Sequence, residues 1–444
     1  MSITDTCMPP WRDGPAYRRA PGMVLPQGVS PNLALDQHLS HRIAAGERVV
    51  HLGLGESRLP VHPALIERLA DAAPAHSYGP VAGGETVLRA AAGYFTRRRL
   101  PTAPDQIALA PGSKAALFAL IAALPGDVVL PRPCWVSYAA QTLLAGRRVT
   151  RVPVPAECGG VPDPLVLREN ILEARRRGHD PRIVILTVPD NPTGTMAAPE
   201  TVRRVCQVAE AEGLVVLSDE IYRDIRHDPA LPYLSAAEVL PDRTIVVTGL
   251  SKNLALGGWR IGLARFPAGE WGHRLRAKVL AIGSEVWSTV AAPMQEVAAY
   301  ALDEPPEIVD HLESSARLHG AVAVAVHRVV IAAGARCNPP QGGFYVYPDL
   351  EPARAILAAK GIVNASSLQS CLLDRWGIAV LGGHHFGDEP GSLRFRAATS
   401  QLYGRTADEQ WDSLRAADPT RLPHVAGQLA LLRDALAALT DEAG

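Results

Sequence analysis

Lysine is the charge this 444-residue chain has least of. There are four, Lys114, Lys252, Lys278 and Lys360, against forty arginines. A composition that uses arginine wherever a plain positive charge serves marks a retained lysine as present for its amine. Net charge is missing as well: 44 basic against 45 acidic residues leave −1, and nothing in that balance calls for nucleic acid or an anionic membrane as partner. The six cysteines are far apart, without metal-type or redox-type spacing. They read as free thiols in a reducing, cytoplasmic setting, with no metal site. No apolar run reaches membrane-spanning length, and the N-terminus, with Asp5, Arg12, Asp13 and early prolines, lacks a signal-peptide core. Repeats and low-complexity tracts are absent. What is there, 47% hydrophobic and 20% charged residues, is the composition of a soluble enzyme long enough for more than one domain.

Residues 1 to about 40, rich in proline and polar residues, read as an extended arm. Residues 48–55 read as a strand ending in a Gly turn. From 76 to 320, short apolar runs bounded by Gly, Pro or Asp alternate with amphipathic stretches. The runs Gln106–Ala110, Asp127–Leu130, Val149–Val154, Ile183–Thr187, Leu214–Ser218, Thr244–Thr248 and Ile261–Ala264 predict seven buried strands, with helices such as Lys114–Leu124 and Pro199–Glu212 between them. That alternation predicts an α/β domain on a mostly parallel sheet. A long helix through Ala333 follows, and then a smaller α+β domain over 321–444. The tail from Gly404 to Ala438 reads as a surface addition.

Five segments carry the chemistry. Lys252 stands in Ser251-Lys252-Asn253, with Gly257-Gly258 and Arg260 beyond it. A lysine amine that can form a Schiff base, and an arginine that can take a phosphate eight residues on, suit pyridoxal 5'-phosphate (PLP). Leu217-Ser218-Asp219-Glu220-Ile221-Tyr222 puts Asp219 at the carboxyl end of a strand, where open α/β sheets bind ligands. Asp190-Asn191-Pro192-Thr193-Gly194 follows another strand, and its Asn191–Pro192 bond is one where the cis form costs little. Gly112-Ser113-Lys114 opens a helix, whose N–H groups suit a phosphate. Leu393-Arg394-Phe395-Arg396 precedes Ala398-Thr399-Ser400 and offers guanidinium groups to a carboxylate.

These segments, in this order from about Gly53 to Ser400, resemble the class I and II aminotransferases of PLP fold type I. The resemblance implies a large PLP-binding domain over 76–320 and a smaller one built from 41–75 and 321–444. It implies that Lys252 holds PLP, that Asp219 pairs with its pyridine nitrogen, and that Tyr222 and Asn191 bond its phenolic oxygen. Gly112, Ser113, Lys114, Ser251 and Arg260 would surround the phosphate, and Trp135 would lie on the ring. Tyr78 matches a tyrosine that reaches the partner subunit's phosphate, which implies a homodimer with shared sites. Arg394 takes the place of the arginine for the substrate carboxylate, with the backbone near Gly55 on the other oxygen.

The chain departs from the family on the substrate side. The Gly-Glu-Pro turn is Gly55-Glu56-Ser57-Arg58, and the usual Pro-Gly before Phe-Gly is Gly382-Gly383, followed by His384-His385-Phe386-Gly387. Arg396 holds a place usually given to a small polar residue, and Gly249 replaces a phosphate-binding serine, leaving Thr248 or Ser251 to substitute. The departures predict a pocket rebuilt for an unusual substrate, large or anionic, in a specialised biosynthetic pathway. The leading reading is transamination between an amino acid and a 2-oxo acid. The alternative is β/γ-elimination or replacement on the same framework, for example on S-adenosylmethionine. A PLP-binding transcription regulator would need a DNA-binding domain that the short arm before Gly53 has no room for.

Overall fold

The computed structural model describes residues 28–441. Twelve strands run along it. Val50–His51 (β1) and Ile378–Ala379 (β10) form a small parallel pair. Ile107–Pro111 (β2), Asp127–Arg132 (β3), Val149–Pro153 (β4), Pro181–Thr187 (β5), Val215–Asp219 (β6), Thr244–Gly249 (β7) and Ile261–Arg265 (β8) make one seven-stranded sheet, ordered β2-β8-β7-β6-β5-β3-β4. Tyr345–Val346 (β9), Leu381–Gly382 (β11) and Phe395–Ala398 (β12) form a third sheet, ordered β11-β12-β9. In the large sheet only β8 runs against its neighbours. All seven expected strands are present within two residues of their expected ends. The central strands are mostly apolar because helices cover both faces, so alternation would leave polar groups buried, while the edge strand β4 carries an exposed Arg151.

Local chemistry sets the helix ends. Asp163 caps the helix Pro164–Arg176 by accepting from the amides of Leu165 and Val166. Asn364 caps Ala365–Trp376, which stops at Gly377 in the left-handed region, φ 66°. The helix Pro306–Ala332 serves two cores. Its Ile308 packs with Leu65, Leu263 and Val297 of the large sheet's outer layer. Further along, Leu318, Val322 and Val326 pack with Val50, Leu52, Val346 and Phe395. This helix is long and apolar enough to cross a bilayer, as a core helix also is; here it is the spine of the molecule, with ten of its residues buried.

Two expectations for the ends of the chain do not hold. Part of the predicted arm, residues 1–27 with Cys7, lies outside the described residues. The rest is not extended: Pro31–Ala44 is a helix that buries Leu35 and Leu39 against Phe386 and Leu381. The C-terminal tail is not a surface addition either. Its last helix, Pro423–Thr440, buries Leu432, Leu436 and Leu439 in the same core as Leu318. Each such leucine contributes about 2 kcal/mol. The Lys360 amine donates to the carbonyls of Ala438, Leu439 and Asp441 and closes that helix's end.

Candidate active site

Four strands of the large sheet, β2 and the adjacent β7, β6 and β5, deliver their motifs to one end of it. Gly112 and Ser113 follow β2, Asn191 follows β5, Asp219 ends β6, and Lys252 follows β7. Ser113, Trp135, Asn191, Asp219, Tyr222, Lys252 and Gly55 line a single pocket there, with Arg396. Of the predicted set, Gly112, Lys114, Ser251 and Arg260 adjoin it, and Tyr78 and Arg394 lie away from it.

Each side chain has a local reason for its direction. Asp190 accepts from the Thr193 amide (3.1 Å) and hydroxyl (2.6 Å), which curls the loop and turns Asn191 inward. Asn191 Nδ2 then lies 3.4 Å from the Tyr222 hydroxyl, and its Oδ1 accepts from Arg396 at 3.1 Å. Asn253 donates to Asp224 at 3.0 Å and accepts from the Leu254 amide, pinning the turn beside Lys252. The Asn191–Pro192 bond is trans; the cis bonds are Arg132–Pro133 and Val188–Pro189.

The Lys252 amine donates to the Gly55 carbonyl at 2.5 Å. Burial lowers its pKa to about 8. Glu56 opposes that shift, and Arg396, Arg260 and Lys114 add to it. Asp219 is enclosed, and burial raises its pKa to about 6 against a 2.6 Å bond donated by Tyr138. Tyr138, which the sequence reading passed over, sits three residues after Trp135, one helical turn along. Thr187 shares its hydroxyl at 2.7 Å. Tyr345 was passed over too; its hydroxyl lies 2.6 Å from that of Tyr222.

The phosphate neighbourhood depends on one glycine. Gly112 has φ +87°, and a Cβ there would lie 2.3 Å from Arg260 Nη2. Arg260, itself at φ 58°, donates to the carbonyls of Gly257 and Pro111 and has no carboxylate partner among the described residues. The Lys114 amine stands 5.2 Å from the centre of the Trp135 ring, and burial and then Arg260 lower its pKa. Ser251 is buried beside Lys252. Thr248 does not take the place of the missing serine, because its hydroxyl faces the Glu220 carbonyl at 3.4 Å.

The substrate side differs most from expectation. Arg394 does not enter the pocket. It is part-exposed, with Nε 2.9 Å from Asp349 and Nη1 3.4 Å from Asp388. Arg396 is inside, with 0% of its surface exposed. It donates to Asn191 and, at 2.7 Å, to the Gly53 carbonyl, between the rings of Tyr345 (4.8 Å) and Phe386 (4.9 Å). Among the described residues no carboxylate faces it, and its Nε has no partner. Burial lowers its pKa. An unpaired buried charge costs several kcal/mol, a cost that an arriving carboxylate removes. Strand alternation puts Arg394 and Arg396 on one side of the sheet. β12, however, begins at Phe395, so Arg394 precedes the strand, where Asp349 and Asp388 hold its guanidinium. Arg58 pairs with Glu56 at 3.4 Å, half-exposed. His384 and His385 lie against each other, 3.9 Å between tilted rings, in the turn Gly383–Phe386, whose Gly383 amide donates to the Arg394 carbonyl. None of these three lines the pocket.

A second cavity, of about 920 Å³, opens on the far side of the loop 219–227. It holds none of the motif residues. Its Arg97, Arg98 and Arg223 are already paired with Glu304, Asp224 and Glu220.

The chain has known counterparts. The family profile for class I and II aminotransferases matches residues 47–404. An aspartate aminotransferase of Geobacillus stearothermophilus is 29% identical over 86% of this chain and 95% of its own length. An aspartate/prephenate aminotransferase of Cereibacter sphaeroides is 31% identical over 85% and 94%. Among solved structures, the aspartate aminotransferase of Thermus thermophilus with maleate superposes with a TM-score of 0.75, at 25% identity over 87% of this chain and 95% of that one.

Proposed function

The chain belongs to the class I and II aminotransferase family, and from that premise we propose that it moves an amino group between an amino acid and a 2-oxo acid in a specialised biosynthetic pathway. It is a PLP-dependent transferase. The observation that carries the reading is one pocket holding a lysine of pKa about 8, an enclosed aspartate and an unpaired buried arginine. The residues fit PLP: Gly112 lets the Arg260 guanidinium lie against the start of the helix opened by Ser113, and Ser113, Asp219 and Lys252 line one pocket. When bound, PLP draws electrons from the substrate carbon that loses its proton.

The chain's own groups do the rest. Asp219 presents a carboxylate to the ring nitrogen, and Tyr138 holds that carboxylate in place and ionised. Tyr222 and Asn191 present a hydroxyl and an amide N–H toward the phenolic oxygen. Lys252 Nζ would take the α-proton of the substrate and hand it on to the carbon on the far side of the bridging nitrogen. Arg260, Ser113 and the amides after Gly112 hold the phosphate. Arg396, and not Arg394, binds the α-carboxylate, because only Arg396 reaches the pocket with a free N–H. The five free cysteines among the described residues accord with a cytoplasmic location.

The departure at Arg396, which lines the pocket, supports a specialised substrate. The test is a panel of amino acids and S-adenosylmethionine added to the PLP-loaded protein. Conversion of the cofactor to pyridoxamine phosphate with release of a 2-oxo acid is expected. Product from any donor without pyridoxamine phosphate would move the reading to elimination or replacement.

The active unit is proposed to be a homodimer. Tyr78 is 87% exposed although aromatic, as a side chain destined for another subunit would be. Mixing inactive Tyr78→Ala with inactive Lys252→Ala chains is expected to restore part of the activity through hybrid dimers. A monomer by sedimentation with full activity would reject the shared site.

A further inference from the structure

One pocket residue has no counterpart among the motifs. Asn32, in the first turn of the helix Pro31–Ala44, lines the pocket with Lys252, Asp219 and Arg396. The seat of that helix is built. Gly53 leaves room for Leu35, whose Cδ2 would lie 2.3 Å from a Cβ at Gly53. Asp36 holds His51 at 3.1 Å, and His51 accepts from the Gly53 amide at 3.3 Å. The helix start is therefore locked to the segment 51–55 that carries Gly55 into the pocket. Held there, the Asn32 Oδ1 is enclosed and has no hydrogen-bond partner. A buried acceptor without a donor is costly and calls for one.

The pocket's charges point the same way. Its lining holds two cations, Lys252 and Arg396. In the proposed reaction the first is committed to the cofactor and the α-proton and the second to the α-carboxylate. A second carboxylate on the substrate would meet Asn32 Oδ1, itself an acceptor, with no further cation lining the pocket. A side chain with an N–H or O–H would instead satisfy the orphaned acceptor.

We infer that Asn32 reads the substrate side chain, and that the preferred amino donors carry a neutral hydrogen-bond donor there, an amide or a hydroxyl, rather than a carboxylate. This rests on the transaminase reading above and deepens it. It also sets the chain apart from relatives whose names specify aspartate.

Steady-state kinetics of the PLP-loaded enzyme and of Asn32→Ala, with L-glutamine, L-glutamate, L-asparagine, L-aspartate and L-alanine as donors, test the inference. In the wild type each amide is expected to exceed its acid in kcat/KM. Asn32→Ala is expected to lower kcat/KM for the amides roughly tenfold, the worth of one hydrogen bond, and to leave alanine within about twofold. Asn32→Leu, which keeps the volume, is expected to behave likewise and guards against a folding artefact. Acids preferred over amides in the wild type would overturn the inference, as would a uniform loss on all five donors. Pyridoxamine phosphate formed from none of the five, or from any broader panel, would instead remove the transaminase reading itself, a separate outcome.

Discussion

Lys252→Ala is expected to fold, to bind PLP only reversibly, and to lose turnover by at least about 10²- to 10⁴-fold, the range for a lost general acid–base group. The physical reason is that this amine is enclosed among other cations. Burial, then Arg396, Arg260 and Lys114, lower its pKa to about 8 against the pull of Glu56. An ordinary lysine near 10.5 is almost wholly protonated at neutral pH and is a poor nucleophile; this one is half neutral at pH 8. PLP capture by the apoenzyme is therefore expected to speed up with rising pH, with a midpoint near 8. Glu56→Gln removes an anion that favours the protonated amine and shifts the midpoint down. Arg396→Ala removes a cation that disfavours it and shifts the midpoint up. The same shift has a stability sign. Between pH 8 and 10.5 the unfolded chain binds a proton at Lys252 that the folded chain does not, so apoenzyme stability rises with pH across that window. In Lys252→Ala that rise is lost. Borohydride reduction and peptide mapping place the attachment, and a label on Lys114, Lys278 or Lys360 would refute it.

The sheet was legible because its strands are short, mostly apolar and fenced by Gly, Pro and Asp, lengths and flanks that fit buried strands better than buried helices. The cofactor side was legible for a related reason. Its residues sit at strand ends and helix starts, which local sequence marks well, and Asn191, Asp219 and Lys252 fall in one pocket as the family resemblance implied. The helix Pro31–Ala44 was not legible. It has only two fully buried residues, Leu35 and Leu39, among prolines and polar groups, and its order comes from Gly53 and His51, residues that adjoin it only in the fold. Asn32 carries no local signal at all. The tail was misread because a Leu/Ala helix looks the same on a surface as in a core, and only its contacts with Leu318 and Val326 distinguish the two. Two arginines two residues apart posed a problem of the same kind: alternation told which face they share and not how deep each one lies.

Arg396→Ala is therefore expected to weaken every amino-acid substrate alike, by about 1.5–3 kcal/mol, or roughly ten- to a hundredfold in kcat/KM, for a lost charge-assisted pair. The uniformity follows from what it reads, a carboxylate that all amino acids share. Arg396→Lys is expected to recover little, because a single ammonium cannot keep the bonds to Asn191 and to the Gly53 carbonyl and also meet a carboxylate with two parallel N–H groups. Arg394→Ala is the contrasting case. Its part-exposed guanidinium is spent on Asp349 and Asp388, so KM is expected to hold within about twofold while stability falls by about 1 kcal/mol, as for a solvent-screened pair. Kinetics on two substrates together with denaturant midpoints separate the two variants. A loss confined to Arg394→Ala would return the carboxylate site to the position the family motif indicates. In that case the unpaired charge of Arg396 would need another occupant.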